Sequence, residues 1–188
     1  MINKVNKKTI YWKLGYLVAA FGVFLLDQAT KDWARKTLRF GDEVNVIPNF
    51  LNFIYAENTG VAFSQFANGG DTGRWVLAAI AGLATAFVLY YFWRTPRDND
   101  RLLGACAMLL AGIVGNLTDR VRLGYVIDFI DVQFGNWHYP TFNVADSAIC
   151  IGAGLLILDL FFNRNPENAE AGKQAQAVTG SGKPESKI

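Results

Sequence analysis

Residues 75–93 read WVLAAIAGLATAFVLYYFW, an uncharged run closed by Arg74 on one side and Arg94 on the other. At about 1.5 Å of rise per residue, a helix over this run comes close to the ~30 Å of hydrocarbon in a bilayer. Residues 102–118, between Arg101 and Asp119, form a second uncharged run of similar length. Two more apolar stretches, 14–26 and 147–158, are too short to cross alone. Each can span only if its helix carries aspartates near the membrane boundaries, over roughly 14–33 and 144–162. Ionisable residues at such positions are costly and point to function. The expected fold is an all-α integral membrane protein, with four transmembrane helices and a small extracytoplasmic β-sheet.

Composition agrees with that reading. The chain has 188 residues, 52% of them hydrophobic, and a formal net charge of +2. Its length suits one domain, and the apolar residues come in runs, as expected where lipid is the solvent. Basic residues flank the runs instead of lining one groove, so no nucleic-acid partner is expected. Cys106 and Cys150 both lie inside apolar runs without CxxC or Cys/His spacing, and read as small buried apolar side chains. The single histidine, His138, sits in a Trp-His-Tyr turn and reads as an interfacial side chain. With no HExxH or paired-histidine spacing, neither a metal nor another cofactor is expected. Ser64 and Ser147 lack a histidine partner or a GxSxG context.

Lys4, Lys7, Lys8 and Lys13 ahead of an apolar stretch resemble the start of a signal peptide. Leu26-Asp27-Gln28-Ala29 lacks the small-x-small cleavage pattern, however, so a retained first helix is expected. Lysines and arginines before the first span, in the 94–101 loop and after the last span outnumber those in the other loops. The positive-inside rule then places both termini in the cytoplasm. In that topology Asp27, Asn116, Asp119, Arg120, Asn143 and Asp146 gather at the outer face, joined by Asp128 from the connection between the third and fourth helices. Asp159 lies at the opposite end beside Arg164 and reads as interfacial. Residues 44–66 carry β-favouring stretches and turn signals, and 126–134 repeat that flavour. One four-helix transmembrane domain is expected over 1–163, with an outer β-rich segment at about 43–67. Residues 164–188 read as a disordered cytoplasmic tail.

Two carboxylates held close cannot both ionise cheaply, so one keeps a proton while the other serves as base. That pairing suits peptide hydrolysis without a metal. Asp128 stands out because Val126-Ile127-Asp128-Phe129-Ile130 is apolar on both sides of it; Asp131, outside that box, reads as solvated. Asn143-Val-Ala-Asp146 has the spacing of a helix cap, a role compatible with chemistry. Asp119-Arg120 reads either as an ion pair at a helix end or as part of a site. Asp27 and Lys31 share a helix face and read as a pair. Asp71-Thr72-Gly73 matches the tripeptide of pepsin-like proteases, but it occurs once and opens a helix, so Asp71 reads as an N-cap.

With these boxes in place, the chain resembles the bacterial lipoprotein signal peptidases (signal peptidase II) over about residues 14–162. The resemblance rests on Asp27-Gln-Ala-Thr-Lys31, Asn58-Thr-Gly60-Val-Ala-Phe63, Gly115-Asn116-Leu-Thr-Asp119-Arg120, Val126-Ile-Asp128-Phe129-Ile130 and Phe142-Asn143-Val-Ala-Asp146. Ala111 stands where relatives often have glycine. The resemblance implies that Asp128 and Asp146 are the catalytic pair. It implies supporting or substrate-binding roles for Asp27, Lys31, Asn58, Gly60, Asn116, Asp119, Arg120 and Asn143. The implied reaction removes the signal peptide from a diacylglyceryl-modified prolipoprotein, cutting before the lipid-bearing cysteine, at the outer face of the bacterial inner membrane. Membrane lipid is an implied partner, the outer sheet would clamp the extended peptide by strand addition, and cyclic peptide inhibitors are implied as well. The alternative from another class is a small proton- or ion-coupled transporter, which would place its acids near mid-membrane in related half-repeats.

Overall fold

The computed structural model describes residues 7–60 and 72–163. In chain order the elements are α1 (Lys7–Thr37), β1 (Val44–Ile47), β2 (Leu51–Asn58), α2 (Thr72–Arg94), α3 (Asp100–Arg122), β3 (Val126–Phe134), β4 (Trp137–His138) and α4 (Val144–Asn163). All four helices are long and apolar enough to cross a membrane. The strands form one antiparallel sheet in the order β1-β2-β3-β4. Val61, Ala62, Phe63, Ser64, the Asp71 cap and the 164–188 tail lie outside the described residues.

The central helix is α3. Over its most apolar window 56% of residues are buried, against 17%, 17% and 22% in α1, α2 and α4, and it packs on all three. Lipid offers no hydrophobic drive to bring helices together, so close backbone approach must supply the contact. A Cβ on Gly112 would collide with the Ala145 carbonyl and the Ile149 side chain. The bundle turns large apolar side chains outward instead, among them Val18, Phe21, Leu83, Phe87 and Phe161. Cys150 joins them, contrary to the expected burial, while Cys106 is buried as expected.

The first helix is longer than the apolar pattern predicts. Its last turn is held by the sheet: Ala34 and the following Leu38 pack in one buried cluster with Ile127 and Phe129. Trp33 meets Phe53 and Phe129 edge-on, with ring centroids 5.6 and 6.3 Å apart. Tertiary burial thus extends the helix beyond the membrane boundary expected near residue 33.

Gly124 reverses the chain between α3 and β3. It holds φ +92, a conformation without steric cost only for glycine, and its N–H donates to the Arg120 carbonyl at 3.2 Å. β3 therefore runs back across the end of the bundle. Its alternation sends Ile127 and Phe129 into the α1 cluster and Asp128 to the opposite face. Phe129 and Ile130 both donate N–H to the Phe142 carbonyl, at 3.1 and 2.8 Å, which ties the start of α4 to the same strand.

At the end of the bundle remote from the sheet, buried Lys13 donates to the carbonyls of Phe92, Trp93 and Thr95 at 3.0, 2.9 and 2.8 Å. The last carbonyls of a helix lack intrahelical donors, and the ammonium supplies them. Sequence reasoning treats Lys13 only as one of several orienting cations. Asp159, at the same end, is buried within the protein, with the Asn99 amide 3.5 Å away.

Candidate active site

The first turn of α4 is closed by a reciprocal cap. The Asp146 N–H donates to Asn143 Oδ1 at 2.9 Å, and the Asn143 N–H donates to Asp146 Oδ2 at 3.2 Å. This is the capping-box arrangement, and it presents both side chains at the end of the bundle under β3. Asn143 Nδ2 then donates to Asp128 Oδ1 at 2.7 Å. The cap residue therefore touches both acids.

Two more amides converge. Asn116, in the last turns of α3, donates to Asp146 Oδ1 at 2.7 Å. Asn58, the last residue of β2, donates to Asp128 Oδ2 at 3.0 Å. Gly60 serves Asn58: its N–H donates to Asn58 Oδ1 at 2.8 Å, in a turn where glycine holds φ +83. Residues 58 and 128 come together because β2 and β3 pair antiparallel, with Ala56 opposite Asp128 and a bulge before it.

Beneath these acids lies a buried ionic cluster. Lys31 Nζ is 2.9 Å from Asp27 Oδ2, 3.0 Å from Asp119 Oδ2 and 2.9 Å from Asn116 Oδ1. Asp27 also accepts the Ala145 N–H at 2.8 Å, at the start of α4. Glycine at position 115 makes room for this cluster, since a Cβ there would come 2.6 Å from Asp27 Oδ2. Charges removed from water need such complete pairing. Asp119 is thus partnered by Lys31, not by its neighbour Arg120. Arg120 donates to the Asn116 carbonyl at 3.3 Å and stands within electrostatic reach of Asp146, Asp128 and Asp119.

Asp128 is buried, and burial raises its carboxyl to about 6. The Asn58 amide opposes that rise, the charge of Asp146 adds to it, and Asn143 and Lys31 oppose it more weakly. A carboxyl that keeps its proton longer than usual beside a second, half-buried carboxyl can pair an acid with a base.

Every candidate site residue from the sequence falls in this one network: Asp27, Lys31, Asn58, Gly60, Asn116, Asp119, Arg120, Asp128, Asn143 and Asp146. Two further residues contribute. Gln28 bridges Asp27 Oδ2 and Asp119 Oδ1 at 3.1 and 3.2 Å, and Ala145 contributes its backbone. The position of Gln28 beside Asp27 is the only signal the sequence offers for it. Asp131 departs from expectation. It is buried, accepts from Asn52 Nδ2 at 3.1 Å, and lies 2.9 and 3.0 Å from His138 Nδ1. It straps β2, β3 and β4 together, because Asn52 stands directly opposite Asp131 in the sheet.

The same residues lie within a match to a family model described as signal peptidase (SPase) II, which spans residues 19–162. The lipoprotein signal peptidase of Alteromonas mediterranea is 42% identical over 154 residues, covering 82% of this chain and 84% of that protein. The lipoprotein signal peptidase of Pseudomonas fluorescens is 43% identical over 157 residues, covering 83% of this chain and 92% of that protein. Among solved structures, a bacterial membrane enzyme at 1.9 Å resolution superposes with a TM-score of 0.69 at 33% identity, covering 78% of this chain and 92% of the other. A second, at 2.3 Å, gives 0.68 at 30% identity, covering 93% and 94%.

Proposed function

The chain belongs to the signal peptidase II family, and from that premise we propose that it removes signal peptides from prolipoproteins by an aspartic mechanism, with Asp128 and Asp146 as the catalytic pair. The observation that carries the reading is the shared cap: Asn143 holds Asp146 through its backbone and Asp128 through its amide, so both carboxyls face one point at the end of the bundle. The relatives supply no argument for the transporter alternative.

Asp146 acts as the ionised base and Asp128 as the protonated acid. Asp146 takes a proton from water as the water oxygen bonds to the scissile carbonyl carbon. Asp128 gives its proton to the carbonyl oxygen, leaving a neutral tetrahedral diol. In the collapse the C–N bond breaks, the nitrogen takes the proton held by Asp146, and a diol hydroxyl returns a proton to Asp128. Burial of Asp128 supports this division, since a carboxyl raised to about 6 is the better proton holder. Arg120 lies close enough to balance the charge of the pair.

The substrate is a diacylglyceryl-modified prolipoprotein, cut before its lipidated cysteine. A lipid anchor keeps that cysteine in the bilayer, so the scissile bond must be met at a membrane boundary, where β3 and α4 present the acids. The positive-inside count supports a bacterial cytoplasmic membrane location with both termini inside and the acids outside. The test uses purified Asp128→Asn and Asp146→Asn. Both variants should fold, bind lipidated substrate and leave it intact; near wild-type turnover in either would overturn the assignment.

A further inference from the structure

Three carboxamides touch the two acids, and each has its oxygen occupied by a group that can only donate. Asn58 Oδ1 accepts the Gly60 N–H at 2.8 Å, and Asn143 Oδ1 accepts the Asp146 N–H at 2.9 Å. Asn116 Oδ1 accepts Lys31 Nζ at 2.9 Å and Asn143 Nδ2 at 3.3 Å. Neither a backbone N–H nor an ammonium can accept a hydrogen bond. No amide can therefore flip without setting donor against donor, and each NH2 is obliged to face a carboxylate. Two of the locks are backbone groups. The third is the Lys31 side chain, whose three protons are fully used by Asp27, Asp119 and Asn116.

From this geometry we infer that Lys31 is a positioning residue for the reaction: acting through the Asn116 amide, it keeps a donor on Asp146 and so fixes the place of that carboxyl. The inference rests on the dyad reading above. Asp146 is faced by Asp128 from β3 and Arg120 from α3. Lys31 is faced by Asp27 on its own helix and Asp119 on α3, with Asp32, Arg35 and Arg122 lining the same small cavity. The acids around Lys31 are satisfied by it and by Gln28, Ala145 and Ile127, and among its three hydrogen-bond partners Asn116 is the one that itself bonds a carboxyl of the dyad. Without the ammonium, only the 3.3 Å contact from Asn143 Nδ2 holds the Asn116 oxygen, and the amide can turn that oxygen to Asp146. The carboxylate then loses a donor and meets an acceptor, and is no longer held for the chemical step.

Lys31→Met alone leaves Asp27 and Asp119 buried without their cation, and is expected to unfold. The decisive variant is Lys31→Met/Asp119→Asn, which removes one charge of each sign, measured beside Asp119→Asn and Lys31→Arg. Cleavage of a lipidated reporter peptide by full-length protein in detergent is followed across acidic and neutral pH. The kcat of the double variant should fall about tenfold below that of Asp119→Asn, with KM within about twofold because the loss is confined to the chemical step. Lys31→Arg, which retains a cation that can only donate, should keep kcat near wild type. A folded double variant whose kcat matches that of Asp119→Asn overturns the inference. Asp146→Asn in the same assay separates the two readings: if it turns over substrate, the dyad itself is wrong. If it is silent and kcat of the double variant does not fall, the lock alone is wrong.

Discussion

Replacing Asn58 by alanine addresses the proton on Asp128 directly. The Asn58 amide is the largest influence opposing the rise of the Asp128 carboxyl, donating to Oδ2 at 3.0 Å. A hydrogen bond to a charged group contributes about 1.5–3 kcal/mol, and each pH unit corresponds to about 1.36 kcal/mol, so its loss corresponds to about one to two units. Asn58 itself is exposed, and water will take over part of its role, so about one unit is expected. The sign follows from which form the amide favours. The donor stabilises the ionised carboxylate; its removal lifts Asp128 from about 6 toward about 7. With Asp128 as the proton donor, the active form of the dyad is singly protonated, and the alkaline limb of kcat/KM marks the loss of that proton. Asn58→Ala should therefore move the alkaline limb upward by about one unit, while lowering the plateau through looser positioning. The activity deficit would be largest at low pH and shrink as pH rises. The assay is initial-rate cleavage of a lipidated reporter peptide over the full pH range, with folding checked by thermal melt. A folded variant whose alkaline limb stays put or moves downward would refute Asp128 as the proton holder.

Other parts of the structure make independent predictions. Gly112→Val places a Cβ against the Ala145 carbonyl and Ile149; overpacking should cost about 2–3 kcal/mol, and an unchanged melting temperature in detergent would contradict the close α3–α4 contact. Lys13→Met removes a cation bonded to three carbonyls at the end of α2. Stability should fall by about 1.5–3 kcal/mol, while kcat per folded molecule stays near wild type because the acids lie at the other end of α3; a comparable loss of kcat would show that the two ends communicate. Gly124→Ala meets nothing closer than Arg74 at 3.6 Å, so its cost, about 1–2 kcal/mol, should come from the positive φ alone. Restoration by D-alanine in a semisynthetic chain would confirm that origin, and failure to restore would point to packing instead.

Much of the site was legible before any coordinate. Asp128 betrayed itself as a carboxyl in an apolar strand, and Asn143 and Asp146 by cap spacing ahead of an apolar run. Other details depend on register and packing. Asp131 lies three residues beyond Asp128 and reads as solvated, yet its place opposite Asn52 buries it. Asp119-Arg120 reads either as an ion pair or as part of a site, and α1 delivers Lys31 to Asp119 from across the bundle. Cys106 and Cys150 occupy similar apolar runs, and only the orientation of α3 and α4 sends one inward and the other to the lipid face.

The chain by itself determines that this is a four-span membrane protein with its acids at helix ends, because uncharged runs of membrane length admit few other solutions and a carboxyl near lipid is too costly to be incidental. Only the tertiary structure decides how those acids are used. The turn at Gly124 carries Asp128 back over the bundle to the cap of α4, and Lys31 and Asn143 both donate to the oxygen of the Asn116 amide beside Asp146. Hydrogen-bond direction is a property of assembled neighbours, and no local pattern along the chain records which end of an amide will face a carboxylate.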